Sequence, residues 1–191
     1  AAAWEVIAAD RERLVDLPFV DYTADGEKRR RYFAQLAGAG LDAEAVSLVD
    51  RESKRRYRQL AYVFAGLRAL RKPQVKIEVR SNAHSATGEL VLIGNGRFYG
   101  GRLPVFPEAS LVDGKLDVCV FTRVGIFMLL RCAFWLCLGR LPTSSSICRF
   151  QADRIRLSSA AEAKFEVEGD LGGVLPVEIG VRPQTLRVSC P

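Results

Sequence analysis

The C-terminal part of the chain is a succession of short β-type runs separated by brief turn sequences. Residues 147–190 contain ICRFQADRIRLSS, KFEVE, LPVEIGV and QTLRVSC, each rich in branched or alternating apolar residues. Strands that follow one another with short turns pair antiparallel, because a parallel pair needs a long crossover connection. These runs therefore predict antiparallel sheets packed face to face, and they argue against a βαβ nucleotide-binding sheet.

Further strands are expected earlier in the chain. Residues 13–20 (RLVDLPFV) and 30–38 (RRYFAQLAG) are typical of strands and are joined by the turn sequence TADGE. QVKIEVR and GELVLIGN should pair as a hairpin across the polar loop SNAHSAT, and KLDVCVFT adds another strand. The expected fold is mainly β (α+β), a two-layer antiparallel β-sandwich with a few attached helices, in a single domain over residues 1–191.

Residues 42–71 change to a helical period and stop before Pro73, which cannot continue a helix. One side of this predicted helix is apolar, and a basic cluster precedes it. The apolar residues are Leu60, Val63, Phe64 and Leu67, and the basic ones are Lys54, Arg55, Arg56 and Arg58.

The most apolar stretch is GIFMLLRCAFWLCLGR, residues 125–140. Its roughly 16 residues, with Arg131 in the middle, are fewer than the ~20 that a bilayer-spanning helix needs. Two interpretations stay open: a helix of the protein core, or an interfacial helix that presents Phe127, Phe134 and Trp135 to lipid.

Composition limits the function classes. A chain of 191 residues with 49% hydrophobic residues can bury one good core, and its net charge of +6 favours anionic partners such as phospholipid headgroups, nucleotides or nucleic acid. Basic clusters at 28–31 and 54–58 are either membrane contacts or ordinary solvated faces.

The five cysteines include no CxxC pair, which argues against a disulfide framework or a zinc site. With no recognisable secretory signal, the expected location is the reducing cytoplasm.

The common nucleotide and hydrolase motifs do not occur. There is no GxxxxGK(S/T) loop and no GxGxxG that joins a strand to a helix. The only histidine, His84, lies in a polar loop without a nearby cysteine or serine arranged as a nucleophile. The sequence therefore argues against P-loop, dinucleotide-binding and His-dependent hydrolase chemistry.

Two glycine-rich segments are the remaining candidates for a site. IGNGRFYGGRLPVFPEASLVDGKLDV (93–118) leaves a strand, passes several glycines and re-enters a strand through an Asp-Gly turn. FEVEGD sets Glu168 and Asp170 on either side of Gly169 at the end of a strand. Such a pair is either a solvated turn or a catalytic acid pair. Catalysis would use the repulsion between two close carboxylates, which raises the pKa of one of them.

Four ordered segments carry a family resemblance: GNGRFYGG, PEASLVDGKLDV, FEVEGD and LPVEIGVRPQTLRVSCP. Together they resemble the C-terminal domain of the bacterial diacylglycerol kinase-like lipid kinases, relatives of the sphingosine and ceramide kinases and, more distantly, of the NAD kinases. EVIAADRERLVDL and RYFAQLAGAGLDAEAV resemble the family's entry strands and its glycine-plus-aspartate segment. The resemblance implies a β-sandwich that follows an N-terminal α/β domain bearing the nucleotide-binding loop GGDGT, which these residues lack.

The same resemblance implies a divalent-ion site and a phosphate site. Mg²⁺ would be held by the side chain of Asp113 and the backbone carbonyls of Ser110 and Lys115, with Asp117 orienting its waters. The cofactor-binding residues would be Asn95, Gly100, Gly101 and Arg102. Arg102 stands where the family often has a third glycine, and its guanidinium suits phosphate oxygens.

The family's catalytic motif is Asp-Gly-Glu, and Glu168–Gly169–Asp170 aligns with it with the acids exchanged. The resemblance implies that Asp170 is the general base toward the acceptor hydroxyl and that Glu168 supports the ion and phosphate. The implied activity is ATP- and Mg²⁺-dependent phosphorylation of a lipid hydroxyl such as that of diacylglycerol, with this fragment inactive alone.

The implied partners are a lipid substrate, an anionic membrane surface and the absent nucleotide-binding domain; a homodimer is left open. Nucleic acid is not expected, because the basic residues are not interleaved with aromatics in an RNA-binding motif. The alternative function is a non-catalytic lipid- or partner-binding module that keeps the sandwich without the kinase half.

Overall fold

A computed structural model describes residues 2–8, 11–48, 65–100 and 103–190. Within these residues, twelve strands form two antiparallel sheets. The helices are α1 (Ala2–Ala8), α2 (Leu41–Leu48) and α3 (Ile126–Cys137), and residues 65–69 are also helical. The strands are β1 (Glu12–Ala24), β2 (Glu27–Tyr32), β3 (Leu36–Gly40), β4 (Ile77–Arg80), β5 (Ser85–Gly88), β6 (Leu90–Gly94), β7 (Leu116–Phe121), β8 (Ile147–Ala152), β9 (Arg154–Ser159), β10 (Lys164–Val167), β11 (Asp170–Val174) and β12 (Val177–Ser189).

Each sheet contains six strands. The first sheet has the order β2-β1-β12-β9-β4-β5, and the second has the order β11-β10-β3-β6-β7-β8. Side chains from the inner faces of both sheets form one buried cluster that includes Val79, Val91, Ile155 and Phe165. The predicted mainly-β fold with two antiparallel sheets is confirmed.

A second buried cluster lies on the outer face of the second sheet. Leu90 and Leu92 of β6 contribute to it, while Val91 and Ile93 of the same strand belong to the cluster between the sheets. Ala45 of α2 and Cys132 of α3 also belong to this outer cluster, so helices cover this side. Because both faces of β6 are buried, its sequence LVLIG is continuously apolar rather than alternating.

Three sequence expectations about strand extent and pairing were wrong. Residues 30–38 do not form one strand, because β2 ends at Tyr32 and β3 begins at Leu36 in the other sheet. The hairpin partner of β4 is β5, across a turn at 81–84, whereas β6 joins the second sheet. Residues 147–159 also divide, since β8 and β9 belong to different sheets on either side of Asp153.

The ends of the chain differ from expectation as well. Residues 2–8 are helical where the family resemblance implied an entry strand, and β1 begins at Glu12. The two predicted strands at 175–190 are one long strand, β12, whose N-terminal part pairs with both β1 and β9. The pairing of β11 with β10 was not foreseen, because DLGGV has little strand character.

The helix expected over 42–71 is helical at 41–48 and at 65–69. The basic cluster at 54–58 and the predicted apolar positions Leu60, Val63 and Phe64 lie outside the described residues. Among the helices that the structure describes, none is long and apolar enough to cross a membrane.

Candidate functional site

Both acid–glycine turns lie at the same edge of the second sheet. The Glu168 amide donates to the Leu36 carbonyl, Leu36 pairs with Gly94, and Gly94 pairs with Asp117. These four residues form a row from the turn after β10 across β3, β6 and β7, so Glu168 and Asp117 are separated by three strand spacings, or about 14 Å. The turn before Asp117 and the turn that begins at Glu168 are therefore two neighbouring regions of one edge.

The β10–β11 hairpin is closed by a two-residue loop, Glu168–Gly169. Val167 pairs with Asp170, and φ is +57° at Glu168 and +79° at Gly169. Positive φ at both central residues is the requirement of the tight hairpin turn that matches strand twist. Gly169 meets it at no steric cost, whereas glutamate in this region costs about 1 kcal/mol.

Two backbone hydrogen bonds offset that cost. Glu168 Oε1 accepts the amides of Ala34 at 2.8 Å and Gln35 at 2.7 Å. These residues lie in the segment where the chain passes from β2 to β3. Glu168 therefore fixes the hairpin turn onto a second loop, with one oxygen committed to the backbone.

Asn95 holds the same loop from the other side. Its backbone amide donates to the Gln35 carbonyl at 2.9 Å, and its Nδ2 donates to the Ala34 carbonyl at 3.0 Å. Asn95 Oδ1 and Gln35 Oε1 are buried acceptors with no donor among the described residues. The structure thus brings two predicted site residues, Asn95 and Glu168, together around the 34–35 loop.

Asp170 begins β11 and is exposed at the rim of this cluster. Arg31 of β2 lies 3.5 Å from its Oδ2, with the two side chains 33% and 65% exposed respectively. The two acids of the turn therefore differ in their surroundings. Glu168 is bound to the backbone, and Asp170 presents its carboxylate at the surface.

A pair of buried carboxyl groups lies directly behind the turn. Gly169 donates its amide to Glu166 Oε2 at 2.6 Å, and the Tyr99 hydroxyl donates to Asp42 Oδ1 at 2.5 Å. The other oxygens, Glu166 Oε1 and Asp42 Oδ2, both lie beside Gly38, where a Cβ would clash with Asp42 and come within 2.9 Å of Glu166. Neither oxygen has a donor among the described residues.

The protonation of this pair follows from its burial. Burial, followed by the charge of Asp42, raises the pKa of Glu166 to about 9, and burial also raises the pKa of Asp42. At neutral pH the pair therefore holds a proton, which lets one carboxyl group donate to the other and satisfies both orphaned oxygens. Sequence analysis missed Glu166, although a glutamate between the apolar strand residues Phe165 and Val167 is the signal that could have found it.

The Asp113–Gly114 turn is held by a buried acid from the other sheet. Asp16 of β1, 1% exposed, accepts the Gly114 amide at 2.7 Å with Oδ2 and the Gln184 amide at 2.8 Å with Oδ1. The Asp16 amide in turn donates to the Leu111 carbonyl at 2.7 Å. Asp16 was also missed, because an acid inside the apolar run LVDLPFV resembles the outward residue of an alternating strand.

The predicted ion site lies in this turn. Asp113 is exposed and its Oδ1 accepts the Lys115 amide at 3.0 Å, so Oδ2 is the oxygen available to a cation. Burial, with weaker contributions from the charges of Asp113 and Glu108, raises the pKa of Asp117. The acids Asp113, Asp117 and Glu108 outnumber Lys115 around this turn, and a carboxylate with backbone carbonyls is the kind of oxygen set that Mg²⁺ accepts. Within the described ranges, no three Asp, Glu, His or Cys side chains converge as a metal site.

The glycine-rich loop is described only in part. Gly100 has φ +56°, and Tyr99 and Leu103 exchange backbone hydrogen bonds across the tip. The predicted phosphate contacts Gly101 and Arg102 lie outside the described residues. The Arg97 carbonyl accepts the Phe106 amide at 3.2 Å, which folds the loop back on itself.

A family model matches most of the chain. Residues 35–190 match the model described as "YegS C-terminal NAD kinase beta sandwich-like domain", so the chain belongs to that family. The resemblance inferred from the sequence motifs is confirmed.

Individual relatives agree with this assignment. The chain is 26% identical over 156 residues to a diacylglycerol kinase of Bacillus subtilis, covering 80% of this chain and 52% of the relative. It is 23% identical over 169 residues to a diacylglycerol kinase of Staphylococcus epidermidis, covering 87% and 54%. A diacylglycerol kinase structure from Bacillus anthracis covers 99% of this chain and 58% of its own length, with a TM-score of 0.63 and 18% identity, and shows the fold alone. The chain thus spans about half the length of the curated relatives it matches.

Proposed function

We propose that the chain is the C-terminal domain of an ATP- and Mg²⁺-dependent lipid kinase that phosphorylates the hydroxyl of a diacylglycerol-like lipid. The observation that carries the proposal is the Glu168–Gly169–Asp170 turn, in which Glu168 is bound to two backbone amides and Asp170 extends from the rim. The diacylglycerol kinase relatives support the reaction class. ATP would be bound mainly by an N-terminal GGDGT domain, as the family resemblance implies.

In the proposed reaction Asp170 accepts the proton of the lipid hydroxyl. The oxygen of that hydroxyl forms a bond to the γ-phosphorus of ATP at the same time. The bond between that phosphorus and the β–γ bridging oxygen breaks, and ADP leaves with the electron pair. Glu168 is a positioning residue, because its contacts fix the turn from which Asp170 extends. Arg31 lies close enough to hold the Asp170 carboxylate before substrate binds.

The ion would be held by Asp113 with the carbonyls of Ser110 and Lys115, and it would neutralise phosphate charge when bound. Asn95 and Gly100, with Gly101 and Arg102, are proposed to lie along the phosphates. Asn95 fixes the 34–35 loop through two hydrogen bonds, and the neighbouring orphaned oxygens of Asn95 and Gln35 are acceptors that a bound water or substrate hydroxyl group can satisfy.

The test is a lipid phosphorylation assay with radiolabelled ATP on the full reading frame that contains this chain. Diacylglycerol, sphingoid and glycerophospholipid acceptors are compared. The wild-type protein should label one acceptor class, and Asp170→Asn should lower kcat by about 100-fold or more, since a positioned base contributes at least that factor. Asp153→Asn, which alters an exposed acid between β8 and β9, is the matched control and should retain full activity.

Two results would contradict the proposal. Unchanged kcat in Asp170→Asn would remove Asp170 as the base. No phosphorylation of any acceptor by a folded wild-type protein would favour the non-catalytic lipid- or partner-binding module.

A further inference from the structure

Helix α3 is apolar on the side that faces solvent as well as on the side that packs on the sheet. Its inner side buries Cys132 and packs Met128, Leu129 and Leu136 against the outer cluster of the second sheet. Its outer side includes Phe127, which is 85% exposed, and Phe134, which is 63% exposed. A surface helix of a globular protein normally carries polar residues on this side.

The exposed apolar residues form a continuous stripe. At about 100° per residue, positions 127, 130, 134 and 138 fall within an arc of about 80°. The side chains at positions 130 and 138 are leucines, both 59% exposed. This outer stripe, defined as Phe127, Leu130, Phe134 and Leu138, lies opposite the buried Cys132.

The chain segment that carries the outer stripe is cationic. Residues 118–152 contain four arginines and no Asp or Glu; the arginines are Arg123, Arg131, Arg140 and Arg149. The Arg140 guanidinium lies 4.8 Å from the centroid of the Trp135 ring, at the C-terminal end of the helix. Arginine beside tryptophan at the edge of an apolar stripe is typical of segments that lie in the membrane interface.

We propose that α3 is a membrane-docking helix whose outer stripe enters the headgroup region of an anionic bilayer, while Arg123, Arg131 and Arg140 contact lipid phosphates. The inference deepens the proposed function by naming the surface that brings the protein to a lipid acceptor. A second copy of the chain fits less well, because a two-fold interface would place these arginines against their own counterparts without acids between them. An anionic membrane supplies the missing negative charge over the whole stripe.

The first test measures vesicle binding by flotation, without ATP, for the protein from the full reading frame. Vesicles of phosphatidylcholine with one third phosphatidylglycerol are compared with phosphatidylcholine alone. Phe127→Ser combined with Phe134→Ser should lower partitioning onto the anionic vesicles by about tenfold or more, because it removes two large apolar side chains from the interface. Trp4→Ser, which alters an equally exposed aromatic residue on α1 (75% exposed), is the matched control and should bind as the wild type does.

The control variant also provides a second test. The chain has two tryptophans, Trp4 and Trp135, so Trp4→Ser, made in a reading frame whose other tryptophans are replaced by phenylalanine, leaves Trp135 as the single tryptophan. Trp135 lies on α3 beside the outer stripe. Brominated lipids with the label near the headgroup should quench its fluorescence in anionic vesicles, and the Phe127→Ser/Phe134→Ser substitutions should abolish that quenching.

Several outcomes would overturn the inference: no binding to anionic vesicles, binding that the double substitution leaves intact, or Trp135 unquenched in bound protein. A dimer that dissociates on the double substitution, with no vesicle binding, would assign the stripe to a second copy. Vesicle binding as expected, together with no phosphorylation of any lipid, would overturn the proposed function alone. The double variant should retain kcat on short-chain diacylglycerol dispersed as monomers.

Discussion

The Asp113–Gly114 and Glu168–Gly169 turns are held in the same way by carboxyl groups in different surroundings. In each turn the glycine amide donates to a buried acid: Gly114 to Asp16 at 2.7 Å, and Gly169 to Glu166 at 2.6 Å. Glycine suits both positions because each has positive φ, +68° at Gly114 and +79° at Gly169. One anchoring device therefore serves both candidate sites.

The difference lies in the second oxygen of each buried acid. The second oxygen of Asp16 accepts the Gln184 amide, whereas the second oxygen of Glu166 faces Asp42. A backbone amide satisfies a carboxylate directly, but two carboxyl groups that face each other need a proton between them. The Asp113 turn is thus anchored by Asp16, whose two oxygens are satisfied by backbone amides. The Glu168 turn is anchored by Glu166, whose pairing with Asp42 depends on a proton.

The largest expected effect comes from removing Asp16, whose two oxygens both accept backbone amides. Asp16→Ala leaves two buried amides without an acceptor and should lower the free energy of unfolding by about 3 kcal/mol. Urea denaturation measures the change. Asp113→Ala, which alters the exposed acid of the same turn, is the control and should stay within about 0.5 kcal/mol of the wild type. An equally small loss in Asp16→Ala would show that water replaces the anchor.

A second prediction concerns the space between the paired acids. Gly38→Ala would place a methyl group against Asp42 Oδ2 and near Glu166 Oε1, and should cost about 2 kcal/mol through steric overlap and loss of the shared proton's geometry. Gly66→Ala is the control, since a Cβ at that helical glycine meets nothing within 4 Å and should stabilise the fold by about 0.5–1 kcal/mol. Thermal and urea unfolding of both variants measure these changes. An unchanged free energy of unfolding in Gly38→Ala would argue against close pairing of Asp42 with Glu166.

The proton-dependent anchor predicts a pH effect with a defined sign. The pKa of Glu166 is raised from 4.5 to about 9, so between these values the folded state binds a proton that the unfolded state lacks. Its contribution to stability is therefore full below about pH 4.5 and is lost as pH rises toward about 9. Glu166→Gln keeps the donor and the acceptor without titrating, and it should be more stable than the wild type at pH 8 by about 2 kcal/mol.

The measurement is urea denaturation of wild type and Glu166→Gln at intervals from pH 5 to pH 9. The stability difference should grow with pH. Glu178→Gln, an exposed acid of β12, is the control and should show no growing difference. Parallel curves for wild type and Glu166→Gln would mean that folded wild-type protein binds no more protons than the unfolded chain in this range, so that the paired acids hold no extra proton.

The acid–glycine turns could be predicted from the sequence, but their anchors could not. Asp-Gly and Glu-Gly-Asp stand out because glycine next to acids at strand ends signals tight turns. The anchors depend on which residues lie opposite in space: Asp16 reaches Gly114 across 98 positions of the chain, and Asp42 and Glu166 meet only because β3 pairs with β10. A single sequence contains no such information.

Sheet assignment failed for a similar reason. Residues 30–38 and 147–159 are continuous strand-like runs, and nothing in their alternation marks the points at Phe33 and Asp153 where the chain passes to the other sheet. The apolar run 125–140 was correctly predicted as a helix. Its composition could not show that Cys132 faces the core while Phe127 faces solvent, because both sides of the helix are apolar.

The smallest expected effect concerns the exposed acid of the second turn. If Asp170 is kept for catalysis rather than for anchoring, its ion pair with Arg31 at 3.5 Å should contribute little to stability. A double-mutant cycle with Arg31→Gln and Asp170→Asn, measured by urea denaturation, should give a coupling energy below about 0.5 kcal/mol that decreases further with added salt. A coupling of about 2 kcal/mol would instead make Asp170 a structural residue like Asp16. The second turn would then have anchors on both sides of its glycine and no carboxylate reserved for a substrate, and the proposed base would have to be sought elsewhere on this edge of the sheet.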